Sequence, residues 1–416
     1  MNDEKQALVP KLRFPKYVGQ RLRKALLKEV TAESGERVGD NFSTMQVMGV
    51  SKMEGIVPME GRLISSDISR YKIVRKNWFA YNPMRLNIGS IARWKGEQNI
   101  LVSPDYVVFK CLNGADLQID PEYLNHFRQS DVWKQFVTEG GDGSVRVRIY
   151  YRDLARLQLL LPGRDEQQKI ADCLSSLDTL IAAQADKLDA LKTHKRGLMQ
   201  QLFPREGEII PRLRFPEFRE AGEWEQTNLE QLVDFRSGGT PSKANPAFWS
   251  GSIPWVSAKD MKQLFLDDTE DHISTVAVDD GAKMASPGTL LMLTRGMTLL
   301  KDVPICVLQR GMSFNQDVKA LRPKKDMDGL FLAFSLLANL HRLLKMVDIA
   351  GHGTGKLNTD ELKLFELVRP QSDEQQKIAD CFSSIDALIV AQADKLDALK
   401  THKKGLMQQL FPSPEA

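Results

Sequence analysis

The chain has 416 residues, of which 42% are hydrophobic and 27% charged, with a formal net charge of +3. It is too long for one typical domain and apolar enough for packed cores, and a balance this close to neutral carries no functional claim. Four cysteines without ligand spacing, an N-terminal MNDEKQALVPKLRFPK without an apolar h-region, and a longest apolar run (GLFLAFSLLANLH, 329–341) short of about 20 residues argue against a metal cluster, a secretory signal and a membrane span. The expectation is a cytoplasmic protein whose cysteines are small, buried and reduced.

In chain order, PKLRFPKY at 10–17 opens a first globular stretch with β-rich runs such as YKIVRK and YVVFKC. Asp120-Pro121 reads as an N-cap and first helical position, starting a helix over PEYLNHFRQSDVWKQFV. A polar loop, GGDGS at 140–144, leads to a strand-like VRVRIYY and then to DLARLQLLLP. A long helix follows over 165–204. PRLRFPEF at 211–218 opens a second globular stretch, with GTLLMLTR and ICVLQR as strands, a helix over GLFLAFSLLANLHRLLKMV, the loop AGHGTGKLN and ELKLFELVRP. A second long helix covers 373–412.

The two long helices agree at thirty-five of forty positions, so the chain is two cycles of LRFP element, globular stretch and long helix. Ile170, Leu174, Leu177, Ile181, Gln184, Leu188, Leu191, Lys195, Leu198 and Leu202 alternate steps of four and three. Ile378, Phe382, Ile385, Ile389, Gln392, Leu396, Leu399, Lys403, Leu406 and Leu410 repeat them. A 3.5-residue period sustained this long is a coiled-coil seam. Asp165 with Gln168, or Ser372 with Gln375, offers a capping box at the starts, and Pro204 and Pro412 mark the stops. The connectivity favours an antiparallel pair, each helix about 60 Å long, with Gln184 and Gln392 fixing register. The expected fold is α+β: two mixed α/β domains separated by a long antiparallel two-helix coiled coil with a pseudo-two-fold internal repeat. The divisions are 1–163, 164–206, 207–371 and 372–416.

No catalytic constellation emerges. NPMR at 82–85 and NPAF at 245–248 are Asn-Pro turn formers without a glycine-rich cofactor loop. GHGTGKL at 351–357 lacks the first glycine and the hydroxyl residue of a phosphate loop. The six histidines show no ligand pairing, and His194 and His402 read as solvated helix residues. Catalytic and metal residues are therefore expected to be none.

The duplicated EQQKIADCLSSLDTLI…LKTHKRGLMQQLF helices, FRSGGTPSKANPAFWSGSIPWVSAKD at 235–260 and GHGTGKLNTDELKLFELVRP at 351–370 resemble specificity subunits of type I restriction–modification enzymes. FAYNPMRLNIGSIA and LVSPDYVVFKC, within 79–111, have the same character. The resemblance implies two target recognition domains, each binding one half of a bipartite DNA site. It implies no chemistry in this chain. Two methylation subunits docked on the helices would bring S-adenosylmethionine, and restriction subunits would bring ATP and magnesium. The alternative from another class is a coiled-coil adaptor whose heads bind proteins without sequence-specific DNA binding.

Candidate DNA-contacting residues are polar, flexible and basic. Arg146, Arg148 and Arg152, with Tyr150 among them, would alternate along one strand face, and arginine suits guanine edges and phosphates. In the second head, Ser237, Thr240 and Lys243 lie in SGGTPSK, Arg295 ends GTLLMLTR, and His352, Thr354 and Lys356 lie in GHGTGK. Glycine-rich loops let the backbone approach phosphates closely. Trp249 and Trp255 read as core or loop anchors, and KTHKRG and KTHKKG place positive charge where the helix dipole favours it.

Overall fold

The structure, a computed structural model, describes residues 10–39, 46–60, 64, 67–114, 117–139, 148–350 and 353–411. It divides into two compact units. One comprises residues 1–185 with 394–416, the other residues 186–393. Each long helix, Arg164–Leu202 and Ser372–Leu410, runs unbroken across a unit boundary. Each unit thus contains the first half of one helix and the second half of the other.

In the first unit the strand Arg23–Leu26 pairs antiparallel with Gln158–Leu161, the strand that feeds the central helix. A four-stranded antiparallel sheet holds Thr31–Glu33, Val107–Cys111, Phe79–Tyr81 and Ile91–Arg93 in that order. The second unit repeats the entry pair as Glu225–Asn228 with Glu366–Arg369. Its five-stranded sheet runs Val233–Ser237, Val318–Pro323, Leu290–Leu293, Ile305–Leu308 and Phe265–Leu266. Four-stranded and three-stranded sheets complete it. The mixed α+β class follows, and the four β-rich runs singled out in the sequence all contain strands.

The repeated LRFP element shows why it recurs. Arg13 donates from Nε and Nη2 to both carboxylate oxygens of Glu166, at 2.8 and 2.5 Å, and Arg214 treats Glu374 identically. Both pairs are buried. Their remaining Nη1 groups donate to the carbonyls of Gln20 and Gly222. The next residue, Phe14 or Phe215, lies under Lys169 or Lys377. The preceding backbone N–H, of Leu12 or Leu213, donates to Gln409 or Gln201 in the last turn of the other helix. Each element therefore ties one helix start to the other helix's end, and within each unit the two segments run antiparallel.

Along the seam, Lys403 bonds Asp178 at 2.6 Å in the first unit, and Lys195 bonds Asp386 at 2.6 Å in the second. Every apolar seam residue is buried or half-buried: Ile170 and Leu174 join a core with Met407 and Leu410, and Ile378 and Phe382 one with Leu202 and Phe203. His194 and His402 are exposed.

Several expectations are corrected. Neither capping box forms: Gln168 bonds Asp172, and Gln375 is buried inside its helix's first turn. Gln375 accepts from the Asp328 N–H and donates to the carbonyls of Asp326 and Pro370, and Gln167 does the same with Asp120, Gln118 and Pro162. Asp120 and Asp328 cap the head helices as N-caps, but each expected helix breaks in two, at Arg128–Ser130 and at Asn339. The strand expected through Tyr150–Tyr151 is instead a helical turn, Tyr151–Leu154. Part of the AGHGTGKLN loop is the strand Thr354–Leu357. Only Cys306 is fully buried, the other three thiols being half-buried. Burial pushes the Cys111 and Cys306 thiols up to about 12. Among the described residues, no helix is long and apolar enough to cross a membrane.

Among the differences between the repeats, one lies where each head helix packs on the long helices. Six residues past each head-helix N-cap, the first unit has His126 and the second Phe334. Lys195 lies over the Phe334 ring at 5.2 Å. His126 bonds Ser175 at 2.9 Å and lies 3.8 Å from Asp178, and its imidazole is pushed down to about 4 by burial first and by Lys403 second.

Two outcomes follow. Glu374→Gln leaves the Arg214 guanidinium buried and unbalanced and destabilises the second unit by about 3 kcal/mol, read by urea denaturation, while Arg214→Met with Glu374→Leu costs less. A histidine whose pKa is lower folded than unfolded stabilises fully above its ordinary 6.5, and that contribution is lost as pH falls toward 4. His126→Phe therefore flattens the decline in denaturation midpoint between those pH values, and an unchanged decline contradicts the assignment.

Candidate nucleic-acid interface

In the second unit, three strands of the five-stranded sheet finish at one end: Val233–Ser237, Leu290–Leu293 and the start of Val318–Pro323. The turn Asn315–Asp317 lies there. Its Asp317 carbonyl accepts from the N–H groups of Thr294, at 2.8 Å, and Arg295, at 3.2 Å. Its Gln316 side chain accepts from Thr240 Oγ1 at 2.5 Å, and the adjacent Lys319 donates to Ser237 Oγ at 2.6 Å. The SGGTPSK loop and the Arg295 strand are thus fixed on one turn.

The loop's shape has identifiable causes. A Cβ at Gly238 would lie 2.2 Å from the carbonyl oxygens of both Phe314 and Asn315, so only glycine allows this approach. Trp255 donates its indole N–H to the Gly239 carbonyl at 3.0 Å, and Trp249, ring-to-edge with it at 5.1 Å, reaches the Ser242 carbonyl. Both tryptophans anchor the loop that exposes Thr240 and Lys243.

On the other side of the turn, Arg295 stands directly across from Lys356, and Lys356 from Asp348, in a three-stranded sheet. Like charges directly opposite on a sheet repel, a cost that an anion between them would reverse. Both cations are exposed. Thr354 begins the same strand, with Gly353 ahead of it at φ +73°. Ser237, Thr240, Lys243, Arg295, Thr354 and Lys356 therefore collect on three connected segments, while His352 lies outside the described residues. Gln316 and Lys319 belong with them and were not anticipated; the sequence FNQD signals a turn but not its partners.

The first unit assembles its candidates differently. Arg146 lies outside the described residues. Arg148 and Tyr150 are exposed around a fully buried Ile149, whose N–H donates to the Pro83 carbonyl at 3.0 Å. Arg152 sits on the helical turn that follows, 3.7 Å from Asp153. These arginines do not share a strand face, because the backbone is spent on the Pro83 loop and the turn. Asn82 and Asn245, in the two Asn-Pro fragments, accept from the N–H two residues on and act as turn formers.

A family model, the type I restriction modification DNA specificity domain, matches residues 221–401. The specificity subunit of the Escherichia coli type I restriction enzyme EcoR124I/EcoR124II is 30% identical over 169 residues, 40% of this chain and 42% of that protein. The chain spans less than half the length of the first curated relatives it matches. A longer match, 22% identical over 83% of this chain and 80% of the relative, is to the putative MjaX specificity subunit of Methanocaldococcus jannaschii. Among solved structures, the S subunit of a type I restriction–modification system from M. genitalium has a TM-score of 0.61 at 14% identity, covering 97% of this chain and 99% of that one. A chain from another type I system gives 0.57 at 19%, covering 94% and 98%. These likenesses extend the fold over nearly the whole chain, and the match to the type I restriction modification DNA specificity domain covers residues 221–401 of it.

Proposed function

We propose that the chain is the DNA-reading subunit of a type I restriction–modification complex, each unit's head binding one half of a bipartite site. The observation that carries this reading is the assembly of Thr240, Lys243, Arg295 and Lys356 around one turn, inside the segment that matches the DNA specificity domain. Hydroxyls, a backbone held open by glycine and exposed cations suit phosphates and base edges. The protein is non-catalytic in this reading. Two methylation subunits dock on the helices and supply S-adenosylmethionine chemistry on adenines, while restriction subunits supply ATP- and magnesium-dependent cleavage. Leu180 and Leu388, 55% and 51% exposed at matched positions of the two helices, favour docking of like partners on both copies. The unbroken helices set the unread spacer, and the working compartment is the cytoplasm.

Co-expressed with its methylation subunit, the chain binds a split site with affinity that falls steeply with salt. Arg295→Ala with Lys356→Ala weakens binding by about 1–3 kcal/mol and relaxes only the half-site read by the second unit, as methylation mapping would report. Salt-insensitive binding, or relaxation of both half-sites, contradicts the assignment.

A further inference from the structure

The first unit carries a cleft of about 640 Å³ between its head and the last turns of the C-terminal helix. Six cations line it: Lys52, Arg128, Lys134, Lys400, Lys403 and Lys404. Asp131 is the one acid among the lining residues, and its carboxylate already accepts from Gln408 at 3.1 Å and Lys134 at 3.4 Å. Lys403 is balanced by Asp178. Arg128 donates Nε to the Asn125 side chain; among the described residues no carboxylate lies within ion-pair distance of it, of Lys52 or of Lys404, although the charges of Glu122 and Asp131 act on Arg128 and Lys404, and Lys400 lies 3.9 Å from Asp397. Burial, then the nearby Arg93, pushes the Arg128 guanidinium down to about 10, which an anion at the cleft would relieve.

The cleft is not part of the repeated scaffold. Its helix lysines have twins in Lys192, Lys195 and Arg196. The twin of Arg128, counted from the matched N-caps Asp120 and Asp328, is the fully buried Leu336. A partner docking equally on both repeats would need matched residues, and at Arg128 this cleft has none, although Lys134 counts to another cation, Arg342. A ligand met differently by each head does not. The cleft also shares the Asn82–Ser90 loop with the Arg148–Tyr150 segment, which that loop holds through Pro83.

We propose that this cleft grips the phosphates of one DNA strand, with Arg128 at its base and Lys52, Lys134, Lys400 and Lys404 around its rim. The proposal rests on the DNA-reading function above and adds a backbone clamp built by the first head and the C-terminal helix together, separate from the candidate base contacts. Phosphate contacts of this kind hold a protein on the duplex without reading sequence.

The test compares two charge reversals of equal size in the full chain co-expressed with its methylation subunit. Lys400→Glu with Lys404→Glu alters the cleft; Lys192→Glu with Arg196→Glu alters the twin positions. All four side chains are exposed, so neither change threatens folding. Affinity for a mixed-sequence duplex reaching both heads is measured against salt. The cleft pair is expected to lower the slope of log affinity against log salt by about 2 and the affinity at least about tenfold, and the twin pair much less. Arg128→Leu, which copies the second repeat, lowers the slope by about 1. Equal losses from both pairs would overturn the clamp as a distinct site. Unchanged DNA binding with loss of the methylation subunit would overturn it in favour of an acidic protein ligand. An unaltered chain that binds no DNA would overturn this inference and the proposed function together.

Discussion

The bidentate ion pair between the LRFP arginine and the first-turn glutamate, made twice, is the constraint on which both units depend. Its net worth against a well-packed apolar pair is small, since desolvation offsets most of the attraction. Its value is geometric. A guanidinium fork accepts a carboxylate in one orientation, and a slip of one helical turn, about 5.4 Å, would leave both charges buried and apart. The neighbouring N–H of Leu12 or Leu213 then fixes the end of the opposing helix through Gln409 or Gln201. One short element thereby sets the mutual register of two helix segments, and the carboxylate also lies where the helix dipole favours it.

On this fixed frame the heads attach through a second repeated contact, the Gln167 and Gln375 side chains bonded to the N-caps of the head helices. Beyond it the repeats part. Phe334 packs 5.1 Å from Phe382 and under Lys195, closing the second unit's core with aromatic surface. His126 holds a polar group in the same place, beside Ser175, Asp178 and Lys403, and its Nδ1 is buried without a hydrogen bond. The scaffold stays constant while each head fills the shared position by different chemistry.

The long helices, their seam and the β-rich runs were legible in the sequence because period and composition are local properties. The contacts that join these elements were not. Gln375 reads as a cap partner because a capping box is a four-residue pattern, whereas its partner Asp328 lies 47 residues away. The recurrence of LRFP was plain, but nothing nearby in sequence points from Arg13 to Glu166, 153 residues on. Alternating arginines suggested a strand, yet the Pro83 carbonyl takes the Ile149 N–H and the chain turns helical at Tyr151. At the candidate interface the loop and strand residues were anticipated, but Gln316 and Lys319, which hold Thr240 and Ser237, sit on a turn whose role only tertiary pairing reveals.

Because residues 394–416 belong to the first unit, that unit is discontinuous, whereas the second is a single run from 186 to 393. Synthesis delivers the second unit's residues complete while Met407, Leu410 and Phe411 are still missing from the first core. On a ribosome, domains ordinarily close from the N-terminus onward. Here the order inverts: the part made first waits for the part made last, its apolar face uncovered until the final helix arrives.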